Sequence, residues 1–247
     1  MFIPFLPHAW ASTPERLAVA AAVTVSFALI ARAVRGVTWS GAMGGGLACF
    51  VLFLGAGPGT FGVLGALFAA TWVSTRLGYR RKQELGLAER REGRNAGQVL
   101  ANLIIAAAGA SIFAAAGKAV WLVALVAALS EAATDTVASE IGQSRQHDAL
   151  MITTGERVPA GTDGGISFAG TAAGLSAGVA IAVVGAAFGL VGRYQIWVPV
   201  AAGFVGMIAD SLMGATIQRR GWINNQGVNF LATLVAAGIA YGIVMIG

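Results

Sequence analysis

The stretch GVTWSGAMGGGLACFVLFLGAGPGTFGVLGALFAATWVST, residues 36–75, contains no charged side chain over 40 positions. A helix needs about 20 mostly apolar residues to cross a bilayer, so this stretch is long enough for two membrane spans. The sequence Gly55-Ala56-Gly57-Pro58-Gly59 interrupts the apolar run near its middle and separates the two spans. The stretch therefore predicts a pair of membrane helices.

The composition of the whole chain extends this prediction. Of the 247 residues, 57% are hydrophobic and 11% are charged, whereas soluble domains carry about 25% charged residues. The 35 glycines would destabilise soluble helices, but in a membrane they allow helix backbones to approach closely. We expect an all-α, polytopic protein with a single integral membrane domain over residues 1–247.

The apolar runs predict eight membrane spans. They cover residues 15–34, 37–55, 59–78, 96–116, 119–140, 165–190, 195–217 and 226–246. Residues 36–41 are also similar to residues 165–170, and residues 95–97 to residues 225–227. The nearly constant offset favours two parallel four-helix repeats, and chance similarity between Gly- and Ala-rich helices is the alternative.

The positive charges orient the predicted spans. Most Lys and Arg residues lie in, or next to, the four linkers on one side of the membrane. They are Arg32, Arg35, Arg76, Arg80, Arg81, Lys82, Arg90, Arg91, Arg94, Arg145, Arg157, Arg219 and Arg220. Because Lys and Arg are enriched on the cytoplasmic side, these linkers are expected to face the cytoplasm, and both termini the outside of the cell (inner) membrane. The same bias explains the net charge of +5 without a nucleic-acid partner.

Two of the cytoplasmic linkers are expected to be solvated loops. Residues 79–94 are basic, which favours a loop near anionic lipid headgroups, with attraction of an anionic substrate as the alternative. Glu140, Asp148 and Glu156 are expected in the linker after the fifth span. For these three, ion pairing with loop arginines is favoured over metal binding.

Acidic residues elsewhere predict a metal site. Glu131, Asp135 and Ser139 follow one another at intervals of four residues, so they share one face of the fifth predicted helix. Asp210 and Ser211 interrupt the seventh span. Charged groups inside a span are costly and usually functional, and clustered carboxylates with hydroxyls suit Mg²⁺. Structural ion pairs are the alternative.

Three predicted helices begin on the same side with glycine and polar residues. The fourth begins at Gly93 and carries Asn102, the sixth follows the segment Gly161-Thr162-Asp163-Gly164-Gly165, and the eighth begins at Asn224 and carries Asn229. Helix N-termini present free N–H groups and a positive dipole end, which bind phosphate; for each start taken singly, ordinary capping is the alternative. Together with the acids, the starts predict a metal–phosphate site at the cytoplasmic membrane face.

These motifs resemble those of a long-uncharacterised family of integral membrane proteins that includes the plant chloroplast phytyl-phosphate kinase. The resemblance rests on residues 93–102, 131–142, 161–174 and 210–229. It implies a Mg²⁺-dependent kinase that transfers a phosphoryl group from a nucleoside triphosphate to an isoprenyl monophosphate in the lipid bilayer. CTP is the first candidate donor and ATP the second.

The resemblance also implies roles for individual residues. The expected catalytic residues are Asp135, Asp210 and Arg94, and the expected metal ligands are Glu131, Asp135, Asp163 and Asp210. The expected phosphate- or substrate-binding residues are Asn95, Asn102, Ser139, Ser211, Asn225 and Asn229, together with Thr162, Gly164 and Gly165 from the start of the sixth helix.

The isoprenoid tail is expected in a Gly- and Ala-lined groove. Trp39, Trp72 and Phe168 are candidate lining residues, with plain lipid contact or core packing as the alternative.

Two functions of other classes stay open. One is a cytidylyltransferase that forms a CDP-lipid and releases pyrophosphate, and the other is a cation-coupled transporter.

Overall fold

Eight long helices form a bundle in the computed structural model, which describes residues 13–145 and 148–246. They are α1 (Thr13–Ala33), α2 (Trp39–Ala56), α3 (Gly59–Arg76), α5 (Ala96–Ala116), α6 (Val120–Arg145), α7 (Phe168–Ala187), α8 (Trp197–Met213) and α9 (Asn225–Ile246). A short helix, α4 (Tyr79–Glu84), precedes α5, a 3₁₀ turn (Arg193–Gln195) precedes α8, and a π turn (Gly214–Gln218) follows it. The prediction of an all-α, multi-pass membrane protein is confirmed.

The number of spans is close to the predicted eight. Seven of the long helices are both long and apolar enough to cross a membrane. The eighth, α3, has 18 residues and extends over about 27 Å, but polar residues and Arg76 near its end lower its hydropathy. It packs against α6 and α7 inside the bundle.

The region after α3 is a helix with a buried charge, so the prediction that residues 79–94 form a solvated loop is wrong for its first part. Lys82 on α4 is completely buried. Its ammonium group donates hydrogen bonds to the carbonyls of Ser74 and Thr75, at 3.2 and 2.8 Å, and forms an ion pair with Glu140. These contacts satisfy the free carbonyls at the end of α3, which explains why a lysine is buried here.

The placement of Glu140 in a loop is also wrong. The helix α6 continues to Arg145, five residues past the predicted end of the span, and Glu140 on it is only 9% exposed. Thr75 donates a hydrogen bond of 2.8 Å to its Oε1, and Lys82 compensates its charge. The predicted pairing of Glu140 with a loop arginine is observed, because Arg94 lies 3.7 Å from its Oε1, but its closest cationic partner is the buried Lys82.

A small antiparallel sheet, which the sequence did not indicate, lies between α6 and α7. Strand β1 (Asp148–Met151) is central and pairs with β2 (Arg157–Pro159) on one side and β3 (Gly165–Ile166) on the other. Leu150 faces Arg157 in the first pair and Ile166 in the second. The sheet fixes both ends of the glycine-rich segment Gly161–Gly165 that precedes α7.

The helix α6 is the centre of the bundle and contacts α3, α5, α7, α8 and α9. Glycines on its neighbours allow this close packing. A Cβ atom at Gly174 of α7 would overlap the Thr134 carbonyl oxygen, and one at Gly203 of α8 would lie 2.7 Å from the Ser130 hydroxyl. The spacing of Gly170, Gly174 and Gly178 therefore reflects helix packing.

The two predicted repeats share local structure but not packing. Thr38 accepts a hydrogen bond from the Gly41 amide at the start of α2, and Ser167 accepts one from the Gly170 amide at the start of α7. The helices that the repeat would superpose differ, however, because α6 is central whereas α1 packs chiefly on α2. The sequence similarity thus corresponds to a shared type of helix start.

Four linkers meet at one end of the bundle, which we call the basic end. The Arg94 amide donates to the Gly36 carbonyl at 3.1 Å, and a Cβ atom at Gly164 would lie 2.6 Å from the backbone of Ala215. A Cβ atom at Gly97 would lie 2.6 Å from Gln226. These contacts join the linkers that carry most of the Lys and Arg residues, as the charge distribution predicts.

Candidate functional site

A cavity of about 140 Å³ lies at the basic end, between the ends of α6 and α8 and the starts of α7 and α9. We call it the acidic cavity. Many of the residues predicted for the metal–phosphate site line it. These are Asp135, Ser139, Thr162, Asp163, Gly164, Gly165, Asp210, Ser211 and Asn225. Motifs far apart in the sequence therefore converge on one cavity.

The acidic cavity collects carboxylates from separate elements. Asp210 of α8 interacts electrostatically with Asp135 of α6 and with Asp163 of the glycine-rich segment. The Asp210 Oδ2 atom is buried and accepts no hydrogen bond from any residue that the structure describes. Asp210 as a whole is half-buried, but a buried carboxylate oxygen without a partner is unfavourable, so the arrangement favours a cation in the cavity.

Glu131 lies one helical turn deeper than Asp135 and does not line the acidic cavity. It is 1% exposed, and within the described ranges neither of its carboxylate oxygens has a hydrogen-bond partner. A Cβ atom at Gly206 of α8 would overlap the Glu131 side chain, so the glycine makes room for it. Glu131 is close enough to Asp135 and Asp210 to interact electrostatically with both, so it lies beside the predicted metal site.

The carboxylates of the acidic cavity fit a hard cation whose remaining ligands are waters and substrate phosphates. Within residues 13–145 and 148–246, no group of three or more His, Cys, Asp and Glu side chains is close enough to hold a metal ion alone. Mg²⁺ in phosphate-binding sites is usually held by one or two carboxylates together with waters and substrate phosphates. Asp135 and Asp210 supply two carboxylates in a cavity that also has room for such ligands.

The glycine-rich segment forms one wall of the acidic cavity. Gly164 has φ of +80° and packs on the π turn after α8, so a side chain at this position would be strained and would clash with Ala215. The Thr162 hydroxyl donates to the Pro159 carbonyl at 2.7 Å. The wall therefore presents backbone close to the cavity, next to the start of α7, where free N–H groups can donate to phosphate.

Asp148 also lines the acidic cavity, although sequence reasoning assigned it to ion pairing in a loop. It lies on β1, and the position of that strand depends on its pairing with β2 and β3. No motif in the sequence marks this residue, because the sheet that places it is short and has no clear alternation of polar and apolar residues.

A second cavity of about 480 Å³ lies against a neighbouring face of α6, among α1, α2, α3 and α5. We call it the amphiphilic cavity. Arg94 and Asn102 line it and do not line the acidic cavity, so the predicted site is divided. The reason is the position of α6: Asp135 faces the acidic cavity, while Thr136 faces the amphiphilic one.

Arg94 is held in place from several sides. Its guanidinium donates to the Thr136 hydroxyl at 3.3 Å and lies 3.7 Å from Glu140 Oε1 and 3.9 Å from Glu89 Oε2. It also interacts electrostatically with Asp135 on α6. Arg94 thus lines the amphiphilic cavity and interacts with a carboxylate that lines the acidic cavity.

Three predicted asparagines have structural contacts. Asn95 caps α5 in a capping box with Gln98, so its side chain has the ordinary capping role that is the alternative to phosphate binding. Asn229 Nδ2 donates to Asn102 Oδ1 at 3.5 Å, which links the starts of α9 and α5. In the part of the chain that the structure describes, Asn229 Oδ1 is buried without a partner. Asn95 and Asn229 line neither cavity.

Of the candidate tail-lining aromatic residues, only one lines a cavity. Trp72 borders the amphiphilic cavity and donates a hydrogen bond of 3.1 Å to the Val34 carbonyl. Trp39 is 63% exposed and Phe168 is 87% exposed, so both face outward, as the alternative of lipid contact expects.

Comparison with known proteins places the chain in a family. Residues 22–237 match the family model Integral membrane protein DUF92. The chain is 36% identical to the uncharacterized membrane protein sll0875 of Synechocystis sp., over 73% of this chain and 72% of the relative. It is 32% identical to the uncharacterized membrane protein MJ0933 of Methanocaldococcus jannaschii, over 89% of this chain and 91% of the relative.

A plant relative is protein VTE6, chloroplastic, of Arabidopsis thaliana, which is 31% identical over 71% of this chain and 55% of the relative. No solved structure matches the chain. The family match covers most of the chain and includes every predicted site residue. The chain therefore belongs to the DUF92 family of integral membrane proteins.

Proposed function

We propose that the protein is a prenyl-phosphate kinase. It transfers the terminal phosphoryl group of a nucleoside triphosphate, CTP before ATP, to an isoprenyl monophosphate and forms the diphosphate at the cytoplasmic face of the membrane. The resemblance of its motifs to the family of the plant phytyl-phosphate kinase and its similarity to a chloroplast relative support this reaction class.

The observation that carries the proposal is the composition of the acidic cavity. Carboxylates from α6 and α8, hydroxyls and a glycine-rich backbone segment line one small cavity at the basic end. Phosphoryl transfer requires mainly positioning of the phosphates and compensation of their charge. A cavity with carboxylates for a cation and helix starts for phosphate oxygens supplies both requirements.

Asp135 and Asp210 would hold Mg²⁺, with Asp163 and Glu131 close enough to interact with it. When bound, the ion supplies charge compensation for the donor phosphates. Asp210 Oδ2, which has no partner among the described residues, belongs to a residue that lines the acidic cavity, so a cation in the cavity could compensate it.

The remaining residues bind and orient the phosphates. The hydroxyls of Ser139 and Ser211 and the backbone N–H of Gly164 would donate hydrogen bonds to donor phosphate oxygens, together with the Asn225 side chain. The Gly165 N–H already donates to the Thr162 carbonyl at 2.8 Å, so Gly165 would contribute to the wall of the site and not a hydrogen bond. Arg94 would bind the acceptor phosphate through its guanidinium group, which is suited to phosphate geometry. Its contacts with Thr136 and Glu140 fix its direction.

In the reaction, an oxygen of the acceptor phosphate forms a new bond to the terminal phosphorus of the donor. The bond between that phosphorus and the bridging oxygen breaks, and the nucleoside diphosphate leaves with the electron pair. The acceptor oxygen is already ionised at neutral pH, so no general base is needed. This agrees with a site that contains carboxylates and Arg94 as its charged groups.

A cation-coupled transporter is the second candidate. Glu131 favours it, because a buried acid deep in a span is typical of ion pathways. Transporter sites usually lie near the membrane midplane, however, whereas the acidic cavity lies at one end of the bundle. The position of the cavity therefore favours the kinase.

The fate of a label tests the reaction class. Purified protein is incubated with Mg²⁺, geranylgeranyl monophosphate and CTP labelled in the terminal phosphate. We expect the label in geranylgeranyl diphosphate, with one CDP formed for each product. Labelled pyrophosphate and a CDP-lipid would establish a cytidylyltransferase instead, and no product from CTP or ATP would contradict the kinase proposal.

A further inference from the structure

We propose that the amphiphilic cavity binds a lipid monophosphate with a single hydrocarbon chain, the phosphate at its arginine-lined mouth and the chain in its apolar interior. The inference rests on the proposed function only where it identifies this lipid as the phosphoryl acceptor. The binding site itself follows from the shape, charge and lining of the cavity.

The mouth of the cavity lies at the basic end and carries a strong excess of positive charge. Its charged lining residues are Arg35, Arg76, Glu89, Arg90, Arg91 and Arg94. Glu89 is the single acid among them and already accepts a hydrogen bond of 2.9 Å from Gln98. Arginine side chains bind phosphate with paired hydrogen bonds, so the mouth is complementary to a phosphate headgroup.

Part of the mouth is rigid. The Arg76 guanidinium lies 3.9 Å from the centre of the Trp72 ring and donates to the Val34 carbonyl at 2.6 Å. Arg94 is fixed by Thr136 and Glu140. By contrast, Arg90 and Arg91 are exposed, so their side chains are free to close over a bound headgroup.

The interior of the cavity is apolar and extends into the membrane. It is lined by Phe27, Leu64, Leu67, Phe68 and Leu103. The Phe27 ring makes an edge contact with Phe68 at 5.4 Å between centres, which gives a firm wall. Leu64 and Arg76 are twelve residues apart on α3 and both line the cavity, so it extends over about 18 Å along this helix.

The volume of the cavity favours one chain. A cavity of about 480 Å³ falls in the range of about 300–1,000 Å³ that holds ligands of drug-like size. A membrane phospholipid with two long chains is much larger than such ligands. Gly45 and Gly46 of α2 line the cavity. Added Cβ atoms there would lie 3.2 Å from Val99 and 3.5 Å from Thr24, so larger side chains at these positions would narrow the cavity.

The cavity also lies in the right place for an acceptor. Arg94 lines it and interacts electrostatically with Asp135 on α6. A phosphate bound at Arg94 is therefore next to the cytoplasmic half of α6, whose neighbouring face lines the acidic cavity. Donor and acceptor would meet at this end of the helix, while the chain stays in the membrane.

Binding of radiolabelled geranylgeranyl monophosphate tests whether the phosphate headgroup binds at the mouth of the cavity. It is measured with the protein in phosphatidylcholine nanodiscs, without nucleotide or Mg²⁺. The double variant Arg90→Gln/Arg91→Gln removes two charges from the mouth. The control Arg80→Gln removes a charge from the same end of the bundle but not from the cavity lining. We expect the dissociation constant to rise at least tenfold for the double variant and less than twofold for the control.

Substitutions that fill the apolar interior of the amphiphilic cavity test whether the hydrocarbon chain of the lipid binds there. Gly46→Leu adds a large side chain at a glycine that lines the cavity, whereas Gly65→Leu is the matched control because a Cβ atom at Gly65 has no described neighbour within 4 Å. We expect Gly46→Leu to weaken binding of geranylgeranyl monophosphate at least tenfold and that of the shorter geranyl monophosphate less than threefold. Gly46→Ala, a smaller change, is expected to give an intermediate loss, and size-exclusion chromatography checks folding.

Two outcomes would overturn the inference. One is equal binding by the cavity variants and their controls. The other is displacement of the ligand by phosphatidic acid as effectively as by unlabelled geranylgeranyl monophosphate, which would indicate a bilayer phospholipid. Because binding is measured without donor, lipid binding without turnover would contradict only the proposed kinase, and turnover unaffected by the cavity variants would contradict only this inference.

Discussion

At the scale of single residues, Asp210 tests the metal hypothesis most clearly, because its Oδ2 atom is buried without a hydrogen-bond partner among the described residues. Asp210→Asn keeps the size of the side chain and removes its charge. We expect turnover to fall by a factor on the order of a hundred or more, and the Mg²⁺ concentration for half-maximal activity to rise. Titration of activity with Mg²⁺, and of Mn²⁺ binding by electron paramagnetic resonance, measures both effects.

Glu156→Gln is the control for this experiment. Glu156 is an exposed acid on the same side of the bundle and does not line the acidic cavity. Its replacement is expected to leave both the activity and the Mg²⁺ dependence unchanged. Equal Mn²⁺ binding by Asp210→Asn and the parent protein would remove Asp210 from the metal site.

The buried pair of Lys82 and Glu140 has a structural role. Lys82→Met leaves the Glu140 carboxylate with weaker compensation and the carbonyls at the end of α3 without a donor. We expect a loss of about 3 kcal/mol in stability, seen as a lower thermal midpoint in detergent. The exposed neighbour gives the control Arg80→Met, and adding Glu140→Gln to Lys82→Met should restore part of the loss. An unchanged midpoint for Lys82→Met would contradict this role.

Residues of the acidic cavity could be predicted from the sequence where an ionisable side chain stands within an apolar membrane span. Asp135 and Asp210 are ionisable groups in apolar runs, and such groups need a functional or structural reason. Glu140 and Asp148 could not be placed, because their surroundings depend on Lys82, 58 residues away, and on a short sheet. Sequence spacing alone does not carry that information.

At the scale of elements, the contact between α7 and α6 depends on glycine. Gly174→Ala would place a Cβ atom against the Thr134 carbonyl and 2.8 Å from the Ala138 Cβ atom. We expect a loss of about 1–3 kcal/mol from overpacking, measured as a lower thermal midpoint. Gly238→Ala, at a membrane glycine whose added Cβ would meet no described atom within 4 Å, should have no such effect. Equal midpoints for both variants would contradict close packing at Gly174.

The long helices could be predicted because membrane spans have a strong signal in length and hydropathy. The helix α4 and the three strands could not, since each has six residues or fewer and their sequences are polar or mixed. The extension of α6 to Arg145 was also missed, because the compensation of Glu140 by Lys82 is a tertiary effect.

At the scale of the whole molecule, the charge distribution predicts that the basic end faces the cytoplasm. A single cysteine is introduced by Arg80→Cys or Lys118→Cys in a background with Cys49→Ala, and intact cells are treated with a membrane-impermeant maleimide. We expect Lys118→Cys to react from outside and Arg80→Cys to react only after the cells are opened. The reverse pattern would invert the orientation and place the acidic cavity outside.

The division of the site between two cavities is a property of the whole bundle. The sequence predicts that Arg94 and Asp135 both serve phosphate chemistry, but not that they line two cavities on neighbouring faces of α6. That arrangement depends on the packing of α6 against five other long helices of the described chain. Helix order in a bundle depends on such contacts, and the sequence repeat suggested a more symmetric arrangement than the one observed.

The proposed function requires that the acidic cavity carries out phosphoryl transfer to an isoprenyl monophosphate. The most direct measurement is turnover of the purified protein with Mg²⁺, CTP and geranylgeranyl monophosphate, read as geranylgeranyl diphosphate by mass spectrometry. The parent protein and Glu156→Gln are predicted to form the diphosphate at similar rates, and Asp135→Asn, shown to be folded, at least a hundredfold more slowly. Diphosphate formation by Asp135→Asn at the parent rate would contradict the claim.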